Sequence, residues 1–176
     1  MTISSEQFRD ALRHFPAGVT IVTIKAPGYE KPHGLTVSAF ASISPEPPLI
    51  MVAIDHRGSG HEMLQVEGSV FAVNILPQDK EELSNRFAWV KDVDRFAEGD
   101  WGTAVTGAPI LKDALAWLDC TIHARYKAGT HTIYLGKVEA GDVPRPDEAP
   151  LIYWNRGYRQ LHQENPDTSS SPTAIK

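Results

Sequence analysis

The stretch HGLTVSAFASISPEPPLIMVAID, His33 to Asp55, carries most of the information about the fold of this chain. It begins as extended, hydroxyl-rich sequence through Ser44, is interrupted by Pro45, Pro47 and Pro48, and resumes as the nearly unbroken apolar run LIMVAID. Proline cannot donate to a strand ladder, so the three prolines separate two extended segments. The apolar run reads as a central strand buried on both faces. Thr36, Ser38, Ser42 and Ser44 keep one parity, and a regular strand would put all four hydroxyls on the same face. Such a row either faces water at a sheet edge or lines a phosphate or heterocycle, and periodicity alone favours the edge.

Upstream, GVTIVTIK (Gly18 to Lys25) has β-rich alternation, and the turn-dense APGYEKPHG joins it to the hydroxyl-rich segment as a hairpin. Before it, Phe8 and Leu12 stand at helical spacing within Ser5 to His14, Ser4 and Gln7 are placed for a capping box, and Pro16 and Gly18 end the helix. Downstream, a short helix is expected from His61 to Val66 and a strand over SVFAVNIL, Ser69 to Leu76. Asp79 with Glu82 three residues later predicts a second capped helix, with Leu83 and Phe87 on its apolar face. Ala88 to Lys112 reads as a long functional loop with at most short helical turns. Two long strands follow, Ala114 to Gly129 and His131 to Val143, turning at Gly129-Thr130; the first alternates Leu118, Cys120 and Ile122 with Asp119, Thr121 and His123. LIYWNRGYRQL is the last ordered element. Six or seven short strands with two or three helices predict a mainly β fold, a small antiparallel barrel with capping helices. The domain is expected over 1–162, with 163–176, polar and serine-rich, as a disordered tail.

The 176 residues, 41% apolar and 22% charged, fit one domain with a full-sized core. A net charge of −5 gives no broad cationic surface, which argues against nucleic acid or an anionic membrane as partner. The longest aliphatic stretch, Leu49 to Ile54, is too short to span a bilayer. With a single cysteine, Cys120, and no secretory signal at its start, the chain is expected in the reducing cytoplasm.

Several chemistries are excluded by inspection. No Gly-Lys-Ser/Thr occurs, Gly58-Ser59-Gly60 lacks the third small residue of the dinucleotide fingerprint, and Gln65 stands where a zinc-protease helix starting at His61-Glu62 needs its second histidine. The seven histidines match no tight ligand spacing, so no metal site is expected. There is no Gly-x-Ser-x-Gly elbow, and Cys120, between Leu118 and Ile122, reads as core rather than nucleophile. Asn74 lies within an otherwise apolar strand, where a buried amide either pairs with backbone or meets a polar ligand.

Phe8 to Thr23, His33 to Ile54, Ser69 to Leu76, NRFA (Asn85 to Ala88), GTHTIYLGKV (Gly129 to Val138) and LIYWNRGY (Leu151 to Tyr158), in this order, resemble the short-chain flavin reductases, which provide reduced flavin to two-component monooxygenases. The resemblance runs nearly end to end. It implies a Greek-key-like split β-barrel that binds FMN or FAD, forms a homodimer with the flavin near the subunit interface, takes hydride from NADH or NADPH, and passes reduced flavin to a monooxygenase partner. By the same resemblance Thr36, Val37, Ser38 and Ser42 face the isoalloxazine. Ala53, Ile54, Asp55, Ser59 and Gly60 form the ribityl-phosphate side, with Arg57 or the following helix N-terminus as a source of positive potential. Asn74, Asn85, Arg86 and Phe87 are placed near the flavin, and Tyr153 and Tyr158 beside the nicotinamide. The family's Gly-Asp-His signature reads Gly129-Thr130-His131 here, so His131 is kept as the nicotinamide-side residue while Thr130 replaces the acid. That exchange leaves two other readings open: a flavin-binding carrier without reductase activity, and a flavin-bound redox enzyme with another acceptor.

Overall fold

A computed structural model of the chain describes residues 2–90 and 93–161. Helix α1 (Ser5–Leu12) starts at the expected capping box, in which the Ser4 hydroxyl accepts the Gln7 N–H at 3.1 Å and the Gln7 side-chain oxygen accepts the Ser4 N–H at 2.9 Å. After it come β1 (Ala17–Gly18), β2 (Thr20–Lys25), β3 (His33–Val37), β4 (Phe40–Pro45), β5 (Pro48–Asp55), α2 (Ser59–Gln65), β6 (Val70–Ile75) and α3 (Glu81–Trp89). A single 3-10 turn (Arg95–Ala97) leads into β7 (Trp101–Thr103) and β8 (Pro109–Leu111), then β9 (Ala116–Ala128), β10 (His131–Asp142), β11 (Ile152–Trp154) and β12 (Gly157–Arg159).

Seven strands form one antiparallel sheet in the order β3-β2-β6-β9-β10-β5-β4. Its two edge strands, β3 and β4, are consecutive in sequence, joined only through Ser38 and Ala39. The chain therefore steps from one edge to the other there, and the Ala53 N–H donates to the Ala39 carbonyl at 3.0 Å, extending the β4-β5 ladder up to the step. The sheet is rolled into a split barrel, as expected. Two small sheets, β1-β11-β12 and β7-β8, lie outside it.

Alternation sorts the core into two compartments. Val22, Ile24, Val52, Ile54, Phe71, Val73, Cys120 and Tyr134 fill the barrel. Val19, Ile21, Leu76, Leu83, Phe87, Leu111 and Leu151 pack outside it under α3. The strands buried on both faces are thus β2, whose residues Thr20 to Ile24 are all buried, and β6, buried from Phe71 to Asn74. The reading of β5 as such a strand is corrected: β5 alternates buried Ile50, Val52 and Ile54 with half-buried Leu49, Met51, Ala53 and Asp55, and sits second from the sheet edge. Thr20 and Thr23 tolerate the interior of β2 because their hydroxyls donate to the Val37 carbonyl at 2.7 Å and the Pro109 carbonyl at 2.5 Å.

Three further expectations are corrected. The hydroxyls from Thr36 to Ser44 do not share one face, because the strand breaks at Ser38-Ala39 and a bulge lies between Ser42 and Ser44. Asp79 does not cap α3; its carboxylate pairs with Arg145 at 3.0 Å, and α3 begins after Lys80 without a side-chain cap. The segment from Ala88 to Lys112 holds the β7-β8 ladder, with Pro109, Ile110 and Leu111 buried, as well as the helical turn. The expected tail, from Gln163 on, lies outside the described residues.

Candidate flavin site

The ends of β3, β5 and β10 meet at the barrel seam. β10 pairs with β5 so that His131 stands opposite Asp55, the last residue of that strand. A cleft of about 230 Å³ runs between Leu35 to Ala39 on one side and Ala53, Ile54, Asp55 and His131 on the other. It follows β3, an edge strand, whose outer backbone N–H and C=O groups have no ladder partner and are available to a flat heterocycle with its own donors and acceptors. Small residues, Ala39 and Ala53, leave room against that backbone.

On the other side of β3 lies a second cleft of about 750 Å³, lined by Thr36, Ser38, Asn85, Trp89, Tyr153 and Tyr158 among others. Its wall is built by hydrogen bonds from α3: Thr36 donates to the Ser84 carbonyl at 2.6 Å, the Ser84 and Tyr158 hydroxyls are 2.9 Å apart, and Tyr158 donates to Asn85 Oδ1 at 3.1 Å. Tyr153 and Tyr158 meet edge to face, with ring centroids 5.4 Å apart. The larger cleft is not the one that His131 lines; Thr36 and Ser38 border both and join them into one groove around the end of β3.

The Asp55 carboxylate accepts from the Arg57 backbone N–H at 2.9 Å and from its guanidinium at 2.6 Å. These bonds, with a smaller contribution from His131, hold the carboxyl well below the usual range, so it is anionic at any working pH. Arg57 is occupied by this pair rather than standing free as a source of positive potential, and α2 is only seven residues long. Thr130 Oγ1 lies 3.0 Å from His131 Nδ1, so the hydroxyl that replaces the family's acid is within hydrogen-bond reach of the imidazole. Gly129 turns the hairpin with φ of +59°.

The residues expected at the site therefore divide. Thr36, Val37, Ser38, Ala53, Ile54, Asp55 and His131 line the seam cleft; Asn85, Phe87, Tyr153 and Tyr158 border the neighbouring one. Ser59 and buried Gly60 begin α2, just beyond Asp55, with Ser59 Oγ 3.3 Å from His33 Nε2. Three others are placed elsewhere. Asn74 is fully buried on the outer face of β6, donates to the Ile21 carbonyl at 3.1 Å and accepts the Leu111 N–H at 2.8 Å, so its amide is spent on backbone. Arg86 turns from the groove to the 3-10 segment, donating to the Asp94 carbonyl and pairing with Glu98 at 2.7 Å. Ser42 is exposed on β4, and neither cleft includes it. Sequence reasoning passed over His33, which touches Ser59, and Arg156, which lines the larger cleft from a left-handed turn. The X-Asn-Arg-Gly pattern before Tyr158 was the available signal for that turn.

A split β-barrel with a hydroxyl- and backbone-lined groove at its seam defines a class of heterocycle-binding proteins, and its donor set suits a flavin. The chain matches the flavin reductase like domain over residues 12–162 and belongs to that family. It is 40% identical to a flavin reductase (NADH) of Kitasatospora aureofaciens, covering 99% of this chain and 91% of the relative. It is 38% identical to the reductase component of an FADH(2)-dependent resorcinol hydroxylase of a Rhizobium species, covering 87% and 85%. Among solved structures, the NADH:FAD oxidoreductase SgcE6 of Streptomyces globisporus, in complex with NAD and FAD fragments, superposes with a TM-score of 0.82 at 31% identity, over 96% of this chain and 99% of that one. The protein is an oxidoreductase of the flavin reductase family. Among the described residues no helix is long and apolar enough to cross a membrane, and no group of three or more His, Cys, Asp or Glu is placed to hold a metal.

Proposed function

We propose that this chain is an NAD(P)H-dependent flavin reductase of the EC 1.5.1 class that reduces FMN or FAD at the seam groove and releases it to a partner monooxygenase. The observation that carries the reading is the convergence of the free edge of β3, the end of β5 and His131 on one cleft. When bound, flavin supplies an N5 that takes hydride from the nicotinamide C4. The chain's own residues bind and orient: Val37 and Ser38 present backbone and hydroxyl groups, Ala53 leaves space for a ring, and His131 borders the position of the second ring. Thr36 gives its proton to Ser84, so its hydroxyl is free to act only as an acceptor toward a ligand. The cleft offers no buried general acid, and hydride transfer requires none.

A second copy of the chain completes the site in this reading. The seam cleft, at about 230 Å³, is small for a three-ring heterocycle, and α1 buries none of its residues, exposing Phe8 and Leu12, while Leu12 and the exposed Phe15 after it line a cavity with Tyr153 and Trp154. The functional unit is residues 1–162, located in the cytoplasm, where a buried reduced Cys120 is stable. Following NADH and NADPH absorbance with FMN and with FAD added to the purified protein tests the proposal. Turnover with at least one pair is expected; flavin binding without oxidation of either nicotinamide would leave a carrier instead.

A further inference from the structure

A third cavity, of about 470 Å³, opens where α2 meets the hairpin of β9 and β10. The hairpin register sets Lys127 opposite Thr132 and Arg125 opposite Tyr134, so these four side chains share one face. That face is the reverse of the one His131 presents to the seam cleft, because neighbours on a strand alternate. His56, just past the end of β5, and His61 and Gln65, on α2, close the cavity from the other side. Its polar groups are held in place. Tyr134, buried in the barrel, accepts from Gln65 at 2.6 Å and stands 2.8 Å from His61 Nδ1, while His56 Nε2 is 3.0 Å from Thr132 Oγ1. Arg125 donates to the Leu64 carbonyl at 3.0 Å, which fixes its guanidinium beside α2. The two imidazoles lie with ring centroids 4.5 Å apart.

No carboxylate lines this cavity, and neither Arg125 nor Lys127 makes an ion pair among the described residues. Two imidazoles, a guanidinium and an ammonium therefore converge without a counter-charge. Glu62 is exposed on α2 outside the lining, and Asp55 is taken by Arg57. We propose that this cavity binds a free tetrahedral oxyanion of the phosphate type, separately from the flavin groove and more tightly at acidic pH. Guanidinium and ammonium groups hold such ions by charge-assisted hydrogen bonds. His56 Nδ1 and His61 Nε2, which have no partner among the described residues, are the remaining ring nitrogens. Burial and then repulsion from His56 lower the His61 pKa, against a smaller opposite effect of Glu62, so this ring is neutral near pH 7. An anion beside the pair offsets that repulsion, and by reciprocity protonation strengthens anion binding.

Isothermal titration calorimetry with sodium sulfate at fixed ionic strength tests this, because the sulfate charge is constant across the range in which histidine titrates. Wild type is expected to bind one sulfate per chain, about fivefold or more tighter at pH 6 than at pH 8. Lys127→Gln and Arg125→Gln are each expected to weaken sulfate about tenfold at pH 6 with unchanged circular dichroism. Lys127 is exposed, so its replacement reads the site even where Arg125→Gln fails to fold. His61→Gln is expected to bring the affinities at the two pH values within about twofold of each other. Inorganic phosphate is expected to displace sulfate, whereas FMN and NADPH leave it bound. No saturable binding, equal wild-type affinity at both pH values, undiminished affinity in Lys127→Gln, or failure of phosphate to compete would overturn the site. Displacement by FMN or NADPH would give these cations to a cofactor phosphate and overturn it as well.

Discussion

His131 and Asn74 show how differently two polar residues on strands can be used. His131 ends its strand pairing at the seam with Thr130 Oγ1 3.0 Å from Nδ1, free of any buried structural duty. His131→Ala is expected to lower kcat/KM for the nicotinamide about tenfold, the equivalent of roughly 1.4 kcal/mol, with flavin affinity retained; stopped-flow reduction at varied NADH measures it, and an unchanged value with both nicotinamides would remove His131 from the site. Asn74 is the opposite case. Its loss strands the buried Leu111 N–H and Ile21 carbonyl, so Asn74→Leu is expected to cost about 1–3 kcal/mol in urea unfolding while flavin affinity is unchanged. Burial pushes the Cys120 thiol up to about 12. A thiol raised from 9.0 on folding leaves stability intact below pH 9 and withdraws it as pH rises toward 12. Cys120 is accordingly expected to resist a thiol reagent at pH 8 in the native protein and to react fully in denaturant.

At the level of elements, local pattern was enough where local rules apply. The Ser4-Gln7 cap, the Gly129-Thr130 hairpin and the apolar face of α3 were all legible because each is set by residues within a few positions of one another. Asp79 offered the same local signature as Ser4 and yielded no cap, because Arg145, sixty-six residues away, takes its carboxylate. The two-sided burial of β2 and the one-sided burial of β5 reverse what hydropathy suggested, since apolar content cannot tell which strand lies beneath α3 and β8. The contact of β3 with α3 is correspondingly tight. Gly34→Ala is expected to destabilise the fold by about 1–3 kcal/mol through overpacking against Phe87, read as a lowered thermal midpoint.

For the whole molecule, the apolar stripe of α1, unpartnered among the described residues, is the surface that a second copy of the chain would cover in the proposed homodimer. Light scattering is expected to give twice the chain mass, and the double variant Phe8→Glu, Leu12→Glu to give the monomer with weakened flavin binding; a monomeric wild type would refute the dimer. By itself the sequence determined a mainly β barrel, a cysteine in the core, and membership in the flavin reductase family, because strand alternation, turn chemistry and ordered motifs are properties of the chain in one dimension. Only the tertiary structure decided that the strand breaks at Ser38-Ala39 to close the barrel, that Asn74, Arg86 and Ser42 leave the groove, and that His33 meets Ser59. Those outcomes depend on which distant backbone groups compete for each polar side chain, and that competition exists only once the sheet has rolled up.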